Sequence, residues 1–368
     1  MSDSRSASKL PRLSVDISPL VEDHWTGIPV FTRRLVQALL RHGGLDLQFT
    51  FRLTQIPAAA VHAAIRVGSG TLLRAEFERN AGSAYPLVDA AAPLLFPSVK
   101  EFFQVSHREA STIHDVSTLM MPENHDRENV DHHMRDLARQ LATDDQVFCV
   151  SDATRAALTL AYPSVAEKTR ILHQYVDWPE HFEVMDRNLP VPVLGRYAAV
   201  IGTLEPRKNL SLLMRAMQRP EIKDSGLRFV VMGRQGWNTE DFASILTPGD
   251  RERLLFTGFV TEFMKYRLLR HAQFLVYPSI YEGFGIPALE AMSLGKPVLA
   301  ARTSSLPEVI GDAGVYFDPL SVTEFAAAFG EIAHEDKLAE LSPKASARAG
   351  LYDWTRMAEP VVQWVKGD

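Results

Sequence analysis

The sequence has almost no cysteine and no long apolar run. One cysteine, Cys149, among 368 residues excludes an internal disulfide and a cysteine-based zinc site. Cys149 lies in the apolar run 147–150, which predicts packing in a core rather than a nucleophilic role. Charged residues interrupt every apolar run before the ~18 residues that a membrane-spanning helix needs. No transmembrane helix is therefore expected.

Positive charge is not in excess either. The 39 Lys and Arg residues are outnumbered by 45 Asp and Glu, and the net charge of −6 gives no support to nucleic-acid binding. Residues 1–9 are polar and Ser-rich without an apolar segment, which is typical of a frayed tail rather than a secretory signal. This end of the chain and the scarcity of cysteine together predict a cytoplasmic protein.

The chain has a globular composition, 46% hydrophobic and 23% charged, and it is too long for one ordinary core. Short β-branched runs alternate with longer helical stretches, which is the pattern of βαβ units. The predicted fold class is therefore α/β, with two Rossmann-like doubly wound domains that face each other across a cleft. We expect the first domain at 1–180, a Pro-rich linker without periodicity at 181–196, the second domain at 197–352, and a C-terminal helix at 353–368 that crosses back to the first domain.

The individual elements follow from the same pattern. Strands are predicted at 13–17, 48–53, 112–114, 146–151, 169–173, 197–202, 229–233, 254–257, 274–278 and 297–301. Helices are predicted at 29–41, 131–142, 152–160, 210–217, 262–271 and 287–294. The Ala-rich segment 57–110 shows no clear pattern. Its aromatic and basic residues suit either the core of the domain or docking on an anionic membrane.

A glycine-rich loop separates a predicted strand from a predicted helix. Gly283 and Gly285 are expected to let the backbone approach a ligand closely. Pro287 opens the helix. The N–H groups of Phe284, Gly285 and Ile286 then lie at the helix N-terminus, where an anion such as phosphate is stabilised. The loop therefore predicts an anion site.

Two carboxylates flank this anion site, Glu282 before the helix and Glu290 in its predicted first turn. A carboxylate beside a phosphate would repel it, so both are expected to accept hydrogen bonds from hydroxyl groups. Such a site fits a ligand with phosphate in its middle and polyols at both ends. The alternative is that Glu290 interacts only with the helix dipole.

A second segment carries two cations beyond the end of a strand. Arg207 and Lys208 follow the strand that ends at Gly202 and precede a helix. A guanidinium beside an ammonium at the carboxyl end of a strand suits a diphosphate. The alternative is a solvent-exposed basic turn.

Together these segments resemble the family 4 glycosyltransferases, whose fold is the two-Rossmann-domain GT-B arrangement. The resemblance rests on Glu-Gly-Phe-Gly-Ile-Pro-Ala-Leu-Glu at 282–290, Gly-Thr-Leu-Glu-Pro-Arg-Lys-Asn at 202–209, Tyr-Pro-Ser at 277–279, Gly-Lys-Pro-Val at 295–298 and Leu-Leu-Phe-Thr-Gly-Phe-Val at 254–260. Weaker matches are Thr-Gly-Ile-Pro-Val-Phe-Thr-Arg-Arg-Leu at 26–35 and Ile-His-Asp-Val at 113–116. The resemblance implies that the first domain binds the acceptor and the second the nucleotide sugar.

The resemblance also implies roles for individual residues. His114 would position the donor sugar, and Glu282 would orient its hydroxyl groups. Arg207 and Lys208 would bind the diphosphate, which completes the implied catalytic set, and Glu290 would bind the ribose. The other implied donor-binding residues are Gly27, Gly202, Phe284, Gly285 and Ile286, together with Gly258, Phe259 and Val260, which would border the base.

No metal or other cofactor is expected. The sequence contains no Asp-x-Asp, and no group of His, Asp and Glu has the spacing of a metal site. Protein donors would then neutralise the leaving diphosphate, and the family retains the anomeric configuration. Two positions depart from the family pattern: Thr203 stands where many members have Arg, and Gln174 replaces a usual Asn. Arg207 would therefore carry more of the phosphate binding.

The form of the motifs is most similar to bacterial mannosyltransferases of exopolysaccharide and O-antigen assembly. It implies GDP-mannose as donor, a polyprenyl-diphosphate-linked oligosaccharide as acceptor, and a cytoplasmic protein that contacts the inner face of the cytoplasmic membrane. The alternatives are a UDP-sugar, GDP-rhamnose or GDP-fucose donor, a GT-B-fold 2-epimerase or phosphorylase, and a non-catalytic sugar-nucleotide binder. A nicotinamide-dependent dehydrogenase would need G-x-G-x-x-G, and the nearest match, at 68–70, lacks the third glycine.

Overall fold

Two parallel sheets organise the chain. The computed structural model describes residues 10–22, 25, 27–79, 86–125, 127–202, 205–234 and 246–367, except for the side chains of residues 129 and 132. The predicted N-terminal tail and Thr203 lie outside the described residues.

The first half of the chain builds a seven-stranded sheet. Its strands are β1 (Arg12–Asp16), β2 (Asp46–Phe51), β3 (Thr54–Ile56), β4 (Leu94–Phe96), β5 (Glu109–Ile113), β6 (Gln146–Cys149) and β7 (Thr169–Ile171). The spatial order is β3-β2-β1-β4-β5-β6-β7, and β3 pairs antiparallel with β2 while the other pairs are parallel. Strands β4, β5 and β6 are buried along their whole length, because helices cover both faces of such a sheet.

The second half builds a six-stranded sheet that is parallel throughout. Its strands are β8 (Tyr197–Ile201), β9 (Arg228–Met232), β10 (Leu254–Gly258), β11 (Leu275–Tyr277), β12 (Val298–Ala301) and β13 (Gly314–Phe317). The order β10-β9-β8-β11-β12-β13 reverses direction between β8 and β11. Ligands of doubly wound sheets bind at such a reversal, beyond the carboxyl ends of the strands.

Helices connect the strands in both halves. Those of the first half are α1 (Ile28–His42), α2 (Ala58–Val67), α3 (Thr71–Arg79), α4 (Ser117–Met120), α5 (Arg127–Arg135), α6 (Leu137–Thr143), α7 (Asp152–Ala161) and α8 (Glu180–Arg187). Those of the second half are α9 (Leu210–Ala216), α10 (Pro220–Lys223), α11 (Pro248–Arg253), α12 (Glu262–His271), α13 (Ile286–Ser293), α14 (Leu306–Ile310), α15 (Val322–Ile332), α16 (Glu335–Ala349) and α17 (Trp354–Lys366).

The predicted fold class is confirmed, and each of the ten predicted strands overlaps an observed one. The single helix predicted at 131–142 is wrong: α5 and α6 occupy this region, and Asp136 separates them in a non-helical conformation. The stretch 181–196, expected to lack regular structure, contains most of α8. The segment 57–110 forms α2, α3 and β4, which its Ala-rich composition concealed.

Burial bears on two of the sequence alternatives. Cys149 is fully buried in the first sheet, which confirms its packing role, and burial raises the pKa of its thiol to about 12. Phe51 and Phe77 pack edge to face with ring centroids 4.8 Å apart, and the whole of β4 is buried. Leu73 and β4 therefore belong to the core, whereas Val67, Leu72 and Leu87 are exposed.

The C-terminal helix α17 lies against the first half of the chain. It packs along α1, and the Trp364 Nε1–H donates to Asp145 at 2.9 Å. The Arg108 guanidinium donates a hydrogen bond of 2.6 Å to the carbonyl oxygen of Trp364. The chain therefore ends on the half in which it began. None of the helices in the described part of the chain combines the length and the apolar character that crossing a bilayer requires.

Candidate active site

The carboxyl ends of both sheets face a cleft of about 1150 Å³ between the two halves of the chain. Twelve of the predicted site residues line it: Gly27, His114, Gly202, Arg207, Lys208, Phe259, Val260, Glu282, Phe284, Gly285, Ile286 and Glu290. Gly258 does not line the cleft, but its carbonyl oxygen accepts a hydrogen bond of 3.0 Å from Gly233 N–H. That bond keeps the ends of β9 and β10 side by side. Segments that are distant in sequence are thus brought to one place by the parallel topology.

Glu282 lies between two cations at the centre of the cleft. Its Oε1 is 2.6 Å from Lys208 Nζ, and its Oε2 is 3.4 Å from Arg207 Nη1. Burial alone would raise the pKa of this carboxyl, but Lys208 and Arg207 outweigh burial and lower it to about 2. Glu282 is therefore ionised at neutral pH. Hydrogen bonds from Glu282 N–H to Ser304 Oγ and from Ser305 Oγ to Glu282 O fix its backbone.

Arg207 is surrounded by acceptors of the protein itself. Its Nη2 donates to Glu205 at 2.8 Å, and its Nη1 donates to the Tyr281 carbonyl oxygen at 2.9 Å. Burial would lower the pKa of this guanidinium, but Glu282, Asp115 and Glu205 raise it. Burial would raise the pKa of the Asp115 carboxyl, but the charge of Arg207 helps to keep the pKa of Asp115 below its usual value. The basic turn is therefore a half-buried charge network rather than a solvent-exposed loop.

The sequence predicts an anion site at the start of α13, and this part of the chain lines the cleft. Gly285 is the residue before the helix and adopts φ 95°, a conformation that favours glycine. The N–H groups of Phe284, Gly285 and Ile286 donate to no acceptor within the described residues. Three unpaired donors at the positive end of a helix are suited to bind phosphate oxygens.

His114 lies on the opposite wall, at the end of β5. Its Nε2 is 2.7 Å from the Pro97 carbonyl oxygen, so this nitrogen carries the proton. The ring is also held edge to face against Phe31, with centroids 4.5 Å apart. Burial lowers the pKa of the imidazole, so at neutral pH it is uncharged and Nδ1 is its hydrogen-bond acceptor. A neutral, fixed imidazole can orient hydroxyl groups without adding charge.

Glu290 lies in the second turn of α13, and its predicted placement in the first turn is wrong because the helix begins at Ile286. Its Oε1 is 3.1 Å from Arg34 Nη2 and 2.7 Å from Lys265 Nζ. The carboxylate is almost fully buried. These two ion pairs, and not only the helix dipole, hold the Glu290 side chain at the cleft wall.

Gly283 lines the cleft at a point where the two halves of the chain approach each other closely. A Cβ on Gly283 would lie 1.7 Å from the carbonyl oxygen of His114, which belongs to the opposite sheet. The Gly283 carbonyl oxygen accepts hydrogen bonds from Ser151 Oγ at 2.5 Å and Thr154 Oγ1 at 3.0 Å. The loop that carries Glu282 therefore contacts the end of β5 and is hydrogen-bonded to the start of α7.

The far end of the cleft is less polar. Phe259 and Val260 follow β10, and the Arg234 guanidinium lies 4.9 Å from the centre of the Phe259 ring. On the opposite wall Gly27 precedes α1 with φ 51°, and the ideal Cβ position there has open space around it. Within the described residues no group of three His, Cys, Asp or Glu side chains could hold a metal ion.

Sequence reasoning missed the charged residues that face each other from different domains. Arg33 donates to both carboxylate oxygens of Glu262, at 2.9 and 2.5 Å, and Arg34 contacts Glu290. Arg33 and Arg34 lie in the motif around Gly27, but their partners are more than 200 residues away in the sequence. The one local signal is the presence of two adjacent arginines near the start of α1.

Comparison with known proteins agrees with this geometry. Residues 183–348 match the family described as glycosyl transferases group 1. The O-antigen chain mannosyltransferase B of Escherichia coli is 31% identical over 258 residues, which are 67% of this chain and 67% of that protein. The serotype-specific mannosyltransferase WbdA of Escherichia coli is 27% identical over 235 residues, 60% of this chain and 28% of WbdA, so the match spans about a quarter of that longer protein.

The fold has solved counterparts. Sucrose-phosphate synthase from Thermosynechococcus elongatus superimposes with a TM-score of 0.67 at 17% identity, over 97% of this chain and 98% of that one. Likeness at this identity establishes the architecture, and the sequence relatives establish the family. The chain belongs to the group 1 glycosyltransferases and is an enzyme of the hexosyltransferase type with the GT-B fold.

Proposed function

We propose that the enzyme transfers an α-mannosyl group from GDP-mannose to a lipid-linked saccharide, with retention of configuration and without a metal ion. The observation that carries this proposal is the centre of the cleft, where Lys208 and Arg207 lie with the unpaired N–H groups at the start of α13. These groups supply the positive charge that a leaving diphosphate needs. The names of the curated relatives support a mannosyl group in O-antigen assembly.

In the proposed reaction the bond between C1 of the sugar and the diphosphate oxygen breaks. The acceptor oxygen bonds to C1 on the same face, and the acceptor's proton passes to the departing phosphate oxygen. Lys208 and the N–H groups of Phe284, Gly285 and Ile286 would stabilise the negative charge on that phosphate.

The two walls of the cleft would position the donor. Glu282 is ionised, so it accepts hydrogen bonds from sugar hydroxyls, and the neutral His114 ring lies on the facing wall. Glu290 would accept from the ribose, while Phe259 and Val260 would border the base. Closure of the two halves would exclude water and suppress hydrolysis of the donor.

The acceptor side lies in the first domain. Val67 and Gly68 line the cleft at the end of α2, and Leu72 is exposed on the adjacent α3. Exposed apolar residues at a cleft mouth suit an acceptor with a lipid portion, and they suit peripheral contact with the inner face of the cytoplasmic membrane.

A 2-epimerase of the same fold is the second candidate, because it would use the same diphosphate and ribose contacts. It differs in its products: a non-hydrolytic epimerase converts the nucleotide sugar into its 2-epimer when no acceptor is present, without net release of the nucleotide. A dehydrogenase finds no support, because Gly68 and Gly70 connect the helices α2 and α3 rather than a strand and a helix.

Calorimetric titration with GDP and with UDP in EDTA tests the donor. We expect GDP to bind at least about tenfold more tightly than UDP, a difference of about 1.4 kcal/mol. A preference for UDP would retain the enzyme class and discard mannose, and a requirement for added Mg²⁺ would contradict the metal-free mechanism.

Transfer is tested with GDP-mannose and a membrane extract of lipid-linked saccharides. Release of GDP only in the presence of the extract supports the transferase. Equal release of GDP without it would show hydrolysis and contradict transfer, whereas conversion of GDP-mannose to its 2-epimer without net release of GDP would favour the epimerase.

A further inference from the structure

Glu290 is held by both halves of the molecule. Arg34 on α1 reaches it from the first half, with Nη2 3.1 Å from Glu290 Oε1. Lys265 on α12 reaches the same oxygen from the second half at 2.7 Å. Both partners of the Arg34–Glu290 pair are almost completely buried. One carboxylate oxygen is thus fixed by two cations.

The second oxygen of Glu290 has a different environment. No described residue donates a hydrogen bond to Oε2. Oε2 is also not among the buried polar atoms that lack a partner, and Glu290 lines the cleft. Because a carboxylate is planar, fixing Oε1 determines where Oε2 points.

The Arg34 guanidinium has few hydrogen bonds in its buried position. Its Nε and Nη1 are buried without a partner among the described residues. Buried polar groups normally find partners, and an unsatisfied buried group is destabilising. Among the described residues, Glu290 is therefore the hydrogen-bond partner that stabilises this guanidinium.

We propose that Arg34 is a positioning residue for donor binding. It holds Oε1 of Glu290 across the boundary between the domains and thereby aims Oε2 at a ribose hydroxyl. The ribose subsite is then complete only when the two domains are closed. This inference rests on the proposed function, in which Glu290 accepts a hydrogen bond from the ribose.

The neighbouring Arg33 provides a matched control. It also crosses the boundary, in a bidentate ion pair with Glu262 at 2.9 and 2.5 Å. It donates no hydrogen bond to Glu290. Arg33→Met therefore removes an ion pair between the domains and leaves the contacts of Glu290 in place.

The experiment compares the binding of GDP and of 2′,3′-dideoxy-GDP to the wild-type protein, Arg34→Met and Arg33→Met by calorimetry. Because the dideoxy analogue loses a hydrogen bond to a charged group, the wild type should prefer GDP by at least about tenfold. The preference should fall below about threefold in Arg34→Met and persist in Arg33→Met. If Arg34 had a purely structural role, Arg34→Met would weaken the binding of both nucleotides equally and leave the ratio of their affinities unchanged.

Each other outcome overturns a defined part. If Arg34→Met keeps the wild-type preference for GDP, the positioning role of Arg34 is overturned and the ribose contact of Glu290 stands. If both variants lose the preference, it depends on domain closure in general, and the specific role of Arg34 is overturned. A wild type that binds both nucleotides equally overturns the ribose contact of Glu290 itself. If the wild type binds UDP instead, the same comparison with UDP and its dideoxy analogue applies, so an incorrect donor base does not decide the question.

Arg34→Lys keeps the test informative if Arg34→Met does not fold. It retains the buried charge but has a single ammonium in place of the planar guanidinium. We expect a preference between those of the wild type and Arg34→Met, and a preference equal to that of the wild type would overturn the need for the guanidinium.

Discussion

Arg207 and Lys208 are adjacent cations with different surroundings. Both terminal nitrogens of Arg207 donate to the protein, to Glu205, to Glu282 and to a backbone carbonyl. Within the part of the chain that the structure describes, Lys208 donates a hydrogen bond only to Glu282, and an ammonium can donate three. The two residues therefore divide the work: Arg207 compensates the buried carboxylates, and Lys208 keeps donors for the ligand.

Substitution of each cation by Met should separate these roles. Arg207→Met leaves Glu205 and Glu282 without their shared partner, and breaking a buried ion pair typically costs about 3–5 kcal/mol. We expect its thermal midpoint to fall by about 10 °C. Lys208→Met should keep a midpoint closer to that of the wild type and bind GDP at least about tenfold more weakly.

Differential scanning calorimetry and nucleotide titration provide the two readouts. Lys344→Met is the control, because Lys344 pairs with Glu340 on an exposed face of α16. It should change neither quantity. Full GDP affinity in Lys208→Met would contradict its assignment to the phosphate, and an unchanged midpoint in Arg207→Met would contradict the structural role.

Among the elements, α7 joins local stability to the cleft. Ser151 is its N-cap and accepts a hydrogen bond of 3.0 Å from Thr154 N–H, while its hydroxyl donates to the Gly283 carbonyl oxygen of the other half. The Glu308 carboxylate of α14 accepts from the first two N–H groups of the helix, at 2.9 and 3.1 Å. One helix N-terminus is therefore capped partly from its own chain segment and partly across the domain boundary.

Ser151→Ala should lower both stability and activity. Loss of an N-cap costs about 1 kcal/mol, and the loop of Glu282 also loses a hydrogen bond. The control is Ser321→Ala, because Ser321 caps α15 through Glu324 N–H. Urea denaturation should show a similar loss in both variants, whereas donor turnover should fall only in Ser151→Ala. Equal turnover in the two variants would count against the link between this cap and the cleft.

At the scale of the whole molecule, Gly283 determines how closely the two halves approach. Gly283→Ala places a methyl group within 1.7 Å of the His114 carbonyl oxygen, so the halves must separate. A displacement of about 1 Å in an active site can cost about 100-fold in rate, and we expect a loss of that order. The thermal midpoint should change little, because the clash lies between the domains and not within a core.

Small-angle scattering with and without GDP would detect the wider arrangement, and steady-state kinetics would measure the loss. Gly249→Ala is the matched control, because no atom lies within 4 Å of the position of its added Cβ. Wild-type kinetics in Gly283→Ala would show that the observed contact between the halves is not needed for turnover.

The amino-acid sequence by itself determined the local features. Alternation of β-branched runs with helical periodicity is a short-range property, so it predicted the α/β class and ten strands. The loop around Gly285 and the cations Arg207 and Lys208 were also predicted, because glycine, proline and charge act on the backbone and ligands nearby. The break at Asp136 and the helices α2 and α3 were not, since Ala-rich and polar helices lack a clear apolar stripe.

Only the tertiary structure decided which residues meet across the cleft. Arg34 and Glu290 are 256 residues apart, and neither has a local pattern that names the other. Gly283 was expected to approach a ligand, and its close approach to the backbone of His114 was not predicted. Contacts of this kind depend on how two sheets pack against each other, and ion pairing and steric exclusion act through space rather than along the chain.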